Sequence, residues 1–404
     1  MADAPPTIAL LFTTFPKSTE TFLQREVVAL QARGVNLRLY SLWGGGGDFR
    51  GLPVRTFPKW KLLPLFLVII PWNFLRRPRL IADLFAGVFS RRPPSWLNFW
   101  ENMLGAGFAG CYYHEFRKDP PALVHGAWAG APATAGWVLW RILGLPYSTG
   151  AHAYDLYEHG GDWWLMEKIS LARFVHTSTE MGRQLLIARG AEPAKIHTIH
   201  RGLDAFPVFK ALRTPRASLR LVCIARLVPK KGLDHQLRIY AALKAANISF
   251  EAHILGDGPR RAPLAELARN LGIASEVKFL GHQPPAEVWR QLEWADVLLH
   301  TGVVAESGDR DGLPNVIPEA MAVGTLVVTS PISATTEAIA HEHTGLVAEV
   351  DRPDAWVAAL RRLGGDDALA ESLRRAARQW VEENYDAHQN TARLDTLFRK
   401  AIAP

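Results

Sequence analysis

The 404-residue sequence predicts an α/β protein of two domains, each built on a parallel β-sheet. Short apolar segments alternate with amphipathic segments, which is typical of parallel strands covered by helices. A chain of this length is also too long for one ordinary core. Residues 206–218 interrupt the alternation with prolines and no periodicity, and the alternation then restarts. We therefore expect domains over 1–205 and 219–385, a linker over 206–218 and a terminal helix over 386–404.

The first half opens with a buried strand over 8–12 and an amphipathic helix over 19–33. Ser18 or Thr19 is the natural N-terminal cap, because either side chain can accept a hydrogen bond from a first-turn amide. The glycine run 44–47 lacks the strand-to-helix context of a phosphate loop, so we interpret it as a flexible surface turn. Further strands are predicted over 36–42, 122–125, 147–149, 174–177 and 195–200.

The second half repeats the alternation, with helices such as 264–271 and 286–294 between strands and a helical tail from residue 354. In parallel sheets, ligands bind beyond the carboxyl ends of the strands. Functional residues should therefore follow strands directly. The predicted strands are 219–227, 251–256, 277–281, 297–301, 326–329 and 346–350.

Composition indicates a folded globular protein, with 48% hydrophobic and 21% charged residues. Two distant cysteines, Cys111 and Cys223, suit a reducing cytoplasm. The first residues lack the basic-then-apolar order of a signal peptide, and no apolar run reaches transmembrane length. We therefore expect a cytoplasmic protein. Its net charge of +7 comes without a nucleic-acid-binding motif, so no nucleic-acid partner is expected.

Positive charge is concentrated between residues 50 and 92. This segment contains nine Lys and Arg residues, one acid, Asp83, and seven aromatic residues. Cations beside an aromatic belt are typical of a segment lying on an anionic membrane surface. The apolar run 62–70, between Trp60 and Trp72, is too short to span a bilayer. The alternative is a core helix pair with solvated charges.

A candidate anion site follows the first strand of the second domain. Arg226 and Lys231 lie five residues apart on a loop that ends in a glycine before a helix, which suits a diphosphate. The alternative is a solvated basic turn. Gly256 and Gly258 close a later strand with a tight turn, where glycine permits close approach of a ligand to the backbone.

The strongest motif is the segment D-G-L-P-N-V-I-P-E from Asp311 to Glu319. Gly312 and Pro314 indicate a turn entering a helix, whose N-terminal amides attract anions. Pro318 is tolerated only near a helix start, which places that start near Asn315. The two carboxylates would repel phosphate, so they suit hydroxyls, one on a sugar and the other on a ribose. An ordinary capped helix with a buried glutamate is the alternative.

Together these motifs resemble the retaining glycosyltransferases of family 4, which have the GT-B fold: two Rossmann-like domains facing a cleft, with the last helix packed back on the first domain. The family hallmark is an acid, seven residues and a glutamate, matched by Asp311 and Glu319. Asp311 departs from the usual glutamate, and Pro318 from the usual aliphatic residue. The resemblance implies that Arg226 and Lys231 hold the donor diphosphate and that Glu319 binds the ribose.

The transferred sugar would then be held by Asp311 and by the backbone of Leu313, Pro314, Asn315 and Val316. We expect no metal, because this family works without one and the basic pair neutralises the diphosphate. The D-x-D pattern of Asp309 to Asp311 is therefore interpreted as coincidence. Retention of configuration would proceed by front-face attack with the leaving phosphate as base, which requires positioning and charge stabilisation.

The first half resembles the exopolysaccharide and colanic-acid-type branch of that family, outside about residues 44–120. The matching segments are F-P-K-S-T-E-T-F from Phe15, V-H-G from Val124, T-G-A-H-A-Y-D from Thr149 and R-G-L-D from Arg201. The resemblance places His152 near the transferred sugar, with Asp155 orienting it, and a structural histidine is the alternative. Glu20 and Thr19 are the predicted acceptor contacts.

The resemblance implies a hexosyltransferase that uses a UDP- or GDP-linked sugar and a lipid-linked or saccharide acceptor. Such an enzyme would act in cell-surface polysaccharide or glycolipid synthesis, peripherally on the inner face of the membrane. Two other functions stay open at this point. One is a sugar-nucleotide epimerase of the same fold, and the other is a catalytically silent nucleotide-sugar-binding partner of a membrane assembly.

Overall fold

A computed structural model describes residues 6–17, 20–76, 78–79, 82, 86, 92–214, 217–332 and 334–403. The chain divides into two compact units. Unit 1 comprises Met1–Gly202 with Ala387–Pro404, and unit 2 comprises Leu203–Asp386. Each unit is an α/β domain with a parallel sheet, which confirms the predicted fold class.

Unit 1 contains an eight-stranded sheet in the order β3-β4-β2-β1-β5-β6-β7-β8. Every strand pair is parallel except the edge pair β3–β4, and neither of these two short strands is evident in the sequence pattern. The central strand β1 is apolar and buried through most of its length, as expected between two covered faces. The strands are β1 (Thr7–Phe15), β2 (Asn36–Gly45), β3 (Gly47–Phe49), β4 (Leu52–Thr56), β5 (Leu123–Gly126), β6 (Tyr147–Gly150), β7 (Val175–Thr177) and β8 (Ile196–Thr198).

Helices cover both faces of this sheet. On one face, α3 and α4 pack over the aromatic core around Tyr40 and Phe108, and on the other α1 packs through Leu23 and Val27. The helices are α1 (Thr21–Ala32), α2 (Ile70–Arg76), α3 (Trp96–Lys118), α4 (Ala131–Leu143), α5 (Tyr154–Tyr157), α6 (Leu165–Leu171) and α7 (Glu180–Ala188).

Unit 2 contains a six-stranded parallel sheet in the order β11-β10-β9-β12-β13-β14, the doubly wound order of a Rossmann-like domain. Its strands are β9 (Leu219–Ile224), β10 (Phe250–Leu255), β11 (Val277–Gly281), β12 (Val297–His300), β13 (Leu326–Thr329) and β14 (Leu346–Val347). Its helices are α8 (Leu233–Ala245), α9 (Arg261–Asn270), α10 (Pro285–Trp294), α11 (Val316–Val323), α12 (Thr335–Ala338), α13 (Pro353–Gly365) and α14 (Asp367–Asn384).

The last helix, α15 (Ala387–Ile402), returns to unit 1. Leu394 and Phe398 join the buried cluster that contains Leu23 and Val27 of α1. Because these side chains complete an apolar layer that α1 leaves open, the helix is held by burial of apolar area. This is the packing expected of the predicted terminal helix.

Two local predictions differ from the structure. Helix α1 begins at Thr21, and Glu20 occupies the N-cap position without a side-chain capping bond. The proposed caps Ser18 and Thr19 lie outside the described residues. The glycine run is not a surface turn, because Gly44 and Gly45 extend β2 in register with β1. A Cβ at Gly45 would lie 2.0 Å from the carbonyl oxygen of Phe15, so the close strand approach requires glycine there.

The segment over 206–218, of which residues 215 and 216 lie outside the described residues, is anchored on unit 2. The Lys210 ammonium donates to the carbonyl of Leu292 at 2.9 Å and to the Thr325 hydroxyl at 2.8 Å. It therefore satisfies carbonyls at the C-terminal end of α10, a favourable place for a cation. Burial lowers the pKa of Lys210 to about 7, although the Asp296 carboxylate opposes this shift.

The basic and aromatic segment is described in part, because residues 77, 80, 81, 83–85 and 87–91 lie outside the described residues. It contains a 3₁₀ turn (Lys59–Lys61), one helical turn (Leu62–Pro64), a π-helical turn (Leu65–Ile69) and α2. Leu62 and Leu65 dock against Gly107 and Gly110 of α3, where an added Cβ would lie 2.4 and 2.8 Å from their methyl groups. Among the described residues, no helix is long and apolar enough to cross a bilayer.

Candidate functional site

The candidate donor site of unit 2 lies where the strand order of the sheet reverses direction. Strands β9 and β12 are neighbours, and the chain leaves them toward opposite edges of the sheet. Their carboxyl ends carry the loops 225–232 and 301–315. Doubly wound sheets bind ligands at this point because the diverging connections leave a crevice there.

Two lysines and two aspartates face one another across these loops. A 3₁₀ turn over Pro229–Lys231 presents both ammonium groups. Lys231 Nζ lies 2.5 Å from Asp311 Oδ2. Lys230 Nζ lies 2.9 Å from Asp309 Oδ2 and 3.6 Å from Asp311 Oδ1. All four side chains are largely shielded from water, so the cations and carboxylates form one compact electrostatic cluster.

Asp311 is the most strongly perturbed group of this cluster. Burial by itself would raise the pKa of its carboxyl, but the Lys231 and Lys230 ammonium groups and a contact with His300 outweigh burial. The net result is a pKa far below the usual range. Asp311 is therefore held as a carboxylate, an acceptor-only group suited to hydroxyl donors.

The other predicted donor contacts, Arg226, Gly256 and Gly258, lie on the loops that follow β9 and β10. Arg226 is exposed on the loop after β9. A Cβ at Gly256 would lie 1.9 Å from the carbonyl oxygen of Ala225, and one at Gly258 would lie 2.6 Å from that of Leu227. Packing of the loop after β9 is thus sufficient to require both glycines, without a ligand.

Helix α11 begins where Pro318 places it, with Asn315 at the N-cap position. Glu319 is the fourth helical residue and Asp311 stays on the loop before it, as predicted. Leu313 is buried in the core of unit 2, and the Asn315 side chain accepts a hydrogen bond from the Tyr385 hydroxyl at 2.6 Å. The Leu313 side chain and the Asn315 side-chain oxygen are thus engaged within unit 2.

In unit 1, Asp155 organises the loops that follow β5 and β6. Its carboxylate accepts backbone N–H bonds from Ala129 at 3.0 Å, His152 at 3.0 Å and Ala153 at 2.8 Å. Asp155 therefore contacts His152 through the backbone N–H of that residue. Burial raises the pKa of Asp155, and the three amides oppose that shift.

His152 lies buried at the carboxyl end of β6, edge-on to the Trp128 ring at 5.4 Å and to the His176 ring at 4.9 Å. Its Nδ1 has no hydrogen-bond partner among the described residues. Burial, followed by the charges of His176 and Arg201, holds the pKa of His152 well below its ordinary value. His152 is therefore held as a neutral imidazole.

The two predicted acceptor contacts differ in what the structure describes. Glu20 precedes α1 and forms an ion pair with Lys17, with 2.7 Å between Oε1 and Nζ. Thr19 lies outside the described residues. Within the part of the chain that the structure describes, no group of three or more His, Cys, Asp or Glu side chains is arranged to hold a metal ion.

Three residues of the unit 2 cluster, Lys230, Asp309 and His300, are not among the predicted site residues. The D-x-D pattern was considered only as a metal motif, and both aspartates pair with the adjacent lysines. Adjacent lysines on one loop and alternating aspartates on another are a usable signal once the strand order is known. His300 could have been found as a polar residue ending an otherwise apolar strand.

Comparison with known proteins assigns both halves of the chain. Residues 208–380 match the model of the family "Glycosyl transferases group 1", and residues 19–205 match that of "Glycosyltransferase Family 4". The amylovoran biosynthesis glycosyltransferase AmsK of Erwinia amylovora is 34% identical over 390 residues, covering 93% of this chain and 94% of that protein. The putative colanic acid biosynthesis glycosyltransferase WcaL of Escherichia coli is 33% identical over 193 residues, covering 47% of each chain.

Solved structures share the fold at low sequence identity. Anabaena HepE, in complex with UDP and glucose, has a TM-score of 0.72 at 16% identity and covers 98% of this chain and 100% of its own. Sucrose-phosphate synthase of Thermosynechococcus elongatus has a TM-score of 0.71 at 16% identity and covers 98% of both chains. These likenesses establish the architecture.

Proposed function

The chain belongs to glycosyltransferase family 4, and from that premise we propose that it transfers a hexosyl group from a UDP- or GDP-linked sugar, with retention of configuration. The acceptor is a lipid-linked or other saccharide in cell-surface polysaccharide or glycolipid synthesis. Two observations outside this chain support the proposal. Its relatives AmsK and WcaL are named for amylovoran and colanic acid biosynthesis, and its structural relative HepE binds UDP and UDP-glucose.

The paired lysines of unit 2 are the observation that carries the proposal. Lys230 and Lys231 lie at the switch point of a doubly wound sheet, shielded from water and paired with Asp309 and Asp311. A diphosphate entering this crevice would compete for the Lys231 ammonium. Each charge-assisted bond in such a site contributes about 1.5–3 kcal/mol.

The chemistry then follows from charge placement. The cations stabilise the negative charge that develops on the departing nucleoside diphosphate, and no side-chain nucleophile is needed. Asp311 accepts hydrogen bonds from sugar hydroxyls, and Glu319, one turn into α11, accepts from the ribose. His152 of unit 1 is a further residue that we propose to be catalytic. We infer that the reaction needs no metal.

A thermal-shift screen of UDP-, GDP- and ADP-sugars tests donor binding, because a ligand raises apparent stability by mass action. Replacing Lys231 with alanine is expected to weaken binding of the donor about 10- to 150-fold, the equivalent of one charge-assisted bond. Lys278→Ala is the matched control, since Lys278 also pairs with a carboxylate of unit 2 but lies exposed on β11.

The outcomes separate the alternatives. Release of free nucleoside diphosphate only with acceptor present supports transfer, whereas interconversion of the sugar without acceptor would identify an epimerase. Binding without turnover would identify a silent binding partner. Equal turnover in the native chain and Lys231→Ala would contradict the enzyme proposal.

We further propose that the segment around α2 lies on an anionic membrane surface. The core-helix alternative requires burial of its apolar side chains, yet Trp60 is 71% and Leu75 77% exposed. Among the described residues, large exposed apolar side chains concentrate in this region, which we call the apolar face: Trp43, Trp60, Leu63, Phe66, Leu67, Val68, Trp72, Phe74, Leu75, Trp96, Leu97 and Trp100. A patch of this kind marks an interaction site.

Cations accompany the apolar face. Lys59 Nζ lies 4.5 Å from the centroid of the Trp43 ring, and the Arg76 guanidinium carbon lies 4.4 Å from that of Trp72. Apolar rings with adjoining cations match the headgroup region of an anionic bilayer, where each cation adds about 1 kcal/mol. A lipid-linked acceptor would reach the enzyme at the same surface.

Co-sedimentation with anionic liposomes at low salt tests this contact. Deleting residues 58–77 should release the protein, and the triple variant Trp60→Ser, Leu67→Ser and Leu75→Ser should do so without removing backbone. Val208→Ser is the matched control, because Val208 is 87% exposed on unit 2. Unchanged sedimentation of the deletion and triple variants would exclude the membrane proposal while leaving the donor proposal intact.

A further inference from the structure

His300 is a buried imidazole that faces the Asp311 carboxylate. It ends β12 at the switch point of unit 2 and is 5% exposed. Its Nε2 lies 3.6 Å from Asp311 Oδ2, and its Nδ1 lies 3.1 Å from the Thr329 hydroxyl. Among the described residues, Nε2 has no partner within hydrogen-bond distance.

The surrounding backbone is shaped around this ring. A Cβ at Gly302 would lie 2.6 Å from His300 Cε1 and 3.2 Å from Nε2, so the absence of a side chain there makes room for the imidazole. The preceding strand residues, Leu298 and Leu299, are apolar and fully buried. An apolar residue at position 300 would avoid the cost of desolvating a polar ring. Packing of the strand therefore does not explain why a histidine is present there.

The charge of the Asp311 carboxylate determines which ring nitrogen of His300 carries the hydrogen. Neutral imidazole carries one N–H, and the carboxylate of Asp311 favours that hydrogen on Nε2. In that tautomer the Thr329 hydroxyl donates to Nδ1 at 3.1 Å in place of the Ser330 carbonyl oxygen, which lies 3.2 Å from the same hydroxyl. Burial lowers the pKa of His300, although Asp311 raises it, so the ring stays neutral and directs a donor at the carboxylate.

We propose that His300 is a positioning residue, which holds the Asp311 carboxylate in the orientation that receives the hydroxyls of the donor sugar. The proposal rests on the proposed function. Lys231 now binds Asp311 Oδ2, and the donor diphosphate competes for that ammonium. When Lys231 turns toward the diphosphate, Lys230 near Oδ1 and His300 near Oδ2 are the groups that keep Asp311 in place.

Two substitutions separate positioning from structure. His300→Leu fills the same space without a donor, and His300→Gln returns an N–H close to the place of Nε2. The probes are UDP-glucose and UDP, or the nucleotide-sugar with the largest shift in the thermal screen and its parent diphosphate. Calorimetry measures both dissociation constants. Their ratio gives the contribution of the sugar to affinity without any acceptor present.

We expect His300→Leu to raise the dissociation constant of the nucleotide-sugar about tenfold and to leave that of the diphosphate within about twofold. His300→Gln should recover most of the loss. His253→Leu is the matched control, since His253 is a buried histidine of the same sheet, on β10, and should leave both constants unchanged.

Two results would overturn the inference alone: equal affinities in His300→Leu and native protein, or a parallel loss for both ligands with a fall in melting temperature that glutamine does not repair. If no nucleotide-sugar binds the native chain, the proposed function fails and this inference fails with it. The binding of the native chain therefore distinguishes the two failures.

Discussion

Replacing Asp162 with alanine should strongly destabilise unit 1. Asp162 and Lys168 form an ion pair whose side chains are both 0% exposed. Asn98 and Asn102 also donate to the Asp162 carboxylate, at 2.7 and 3.2 Å. Without it, the acceptors left to the Lys168 ammonium among the described residues are neutral, namely Asn102 Oδ1 at 3.2 Å and Thr134 Oγ1 at 3.3 Å.

The expected loss in the free energy of unfolding is about 3–5 kcal/mol, because breaking a buried ion pair leaves an uncompensated charge. The loss should shrink at higher pH. Burial lowers the pKa of Lys168, and the Asp162 carboxylate opposes that shift, so its removal lowers the pKa further. The native variant then binds fewer protons than the unfolded chain, and its stability rises with pH.

Urea titration followed by tryptophan fluorescence measures the change, since Trp163 and Trp164 adjoin Asp162. An unchanged slope of the free energy of unfolding against urea concentration would show that the variant and the native protein expose the same surface on unfolding. The pair variant Asp162→Ala with Lys168→Met should recover much of the loss, and Asp354→Ala, which breaks an exposed ion pair with Arg352, should have no measurable effect. A loss below about 1 kcal/mol in Asp162→Ala would refute the reasoning.

Two further predictions concern carboxylates of unit 1. Burial raises the pKa of Glu26 to about 7, opposed by Arg201, so this carboxyl by itself makes stability fall as pH rises from 4.5 to 7, whereas buried neutral imidazoles such as His152 make it rise. Glu26→Gln should remove up to about 3 kcal/mol of that fall in pH-dependent urea titrations, and an unchanged slope would contradict it. Asp155→Asn should lose about 1–3 kcal/mol in the same assay, because its amide faces the Ala129 N–H, whereas equal stability would show that water satisfies this amide.

Much of the architecture was predictable because it depends on local patterns. Buried strands and amphipathic helices have different periodicities, so most strands and helix α1 were placed within a few residues, whereas the long helix α3 was not predicted. The start of α11 was predicted because Pro318 restricts where a helix can begin. The edge strands β3 and β4 were missed, since they are short and their pairing depends on contacts distant in sequence.

The sequence by itself determined the fold class, the family resemblance and the acid-to-glutamate spacing of Asp311 and Glu319. These properties are local, because each depends on residue type and spacing along one segment. Only the tertiary structure decided the partners of those residues. Lys230, Lys231 and His300 meet Asp309 and Asp311 because β9 and β12 are neighbours although distant in the chain, and that adjacency is set by sheet order.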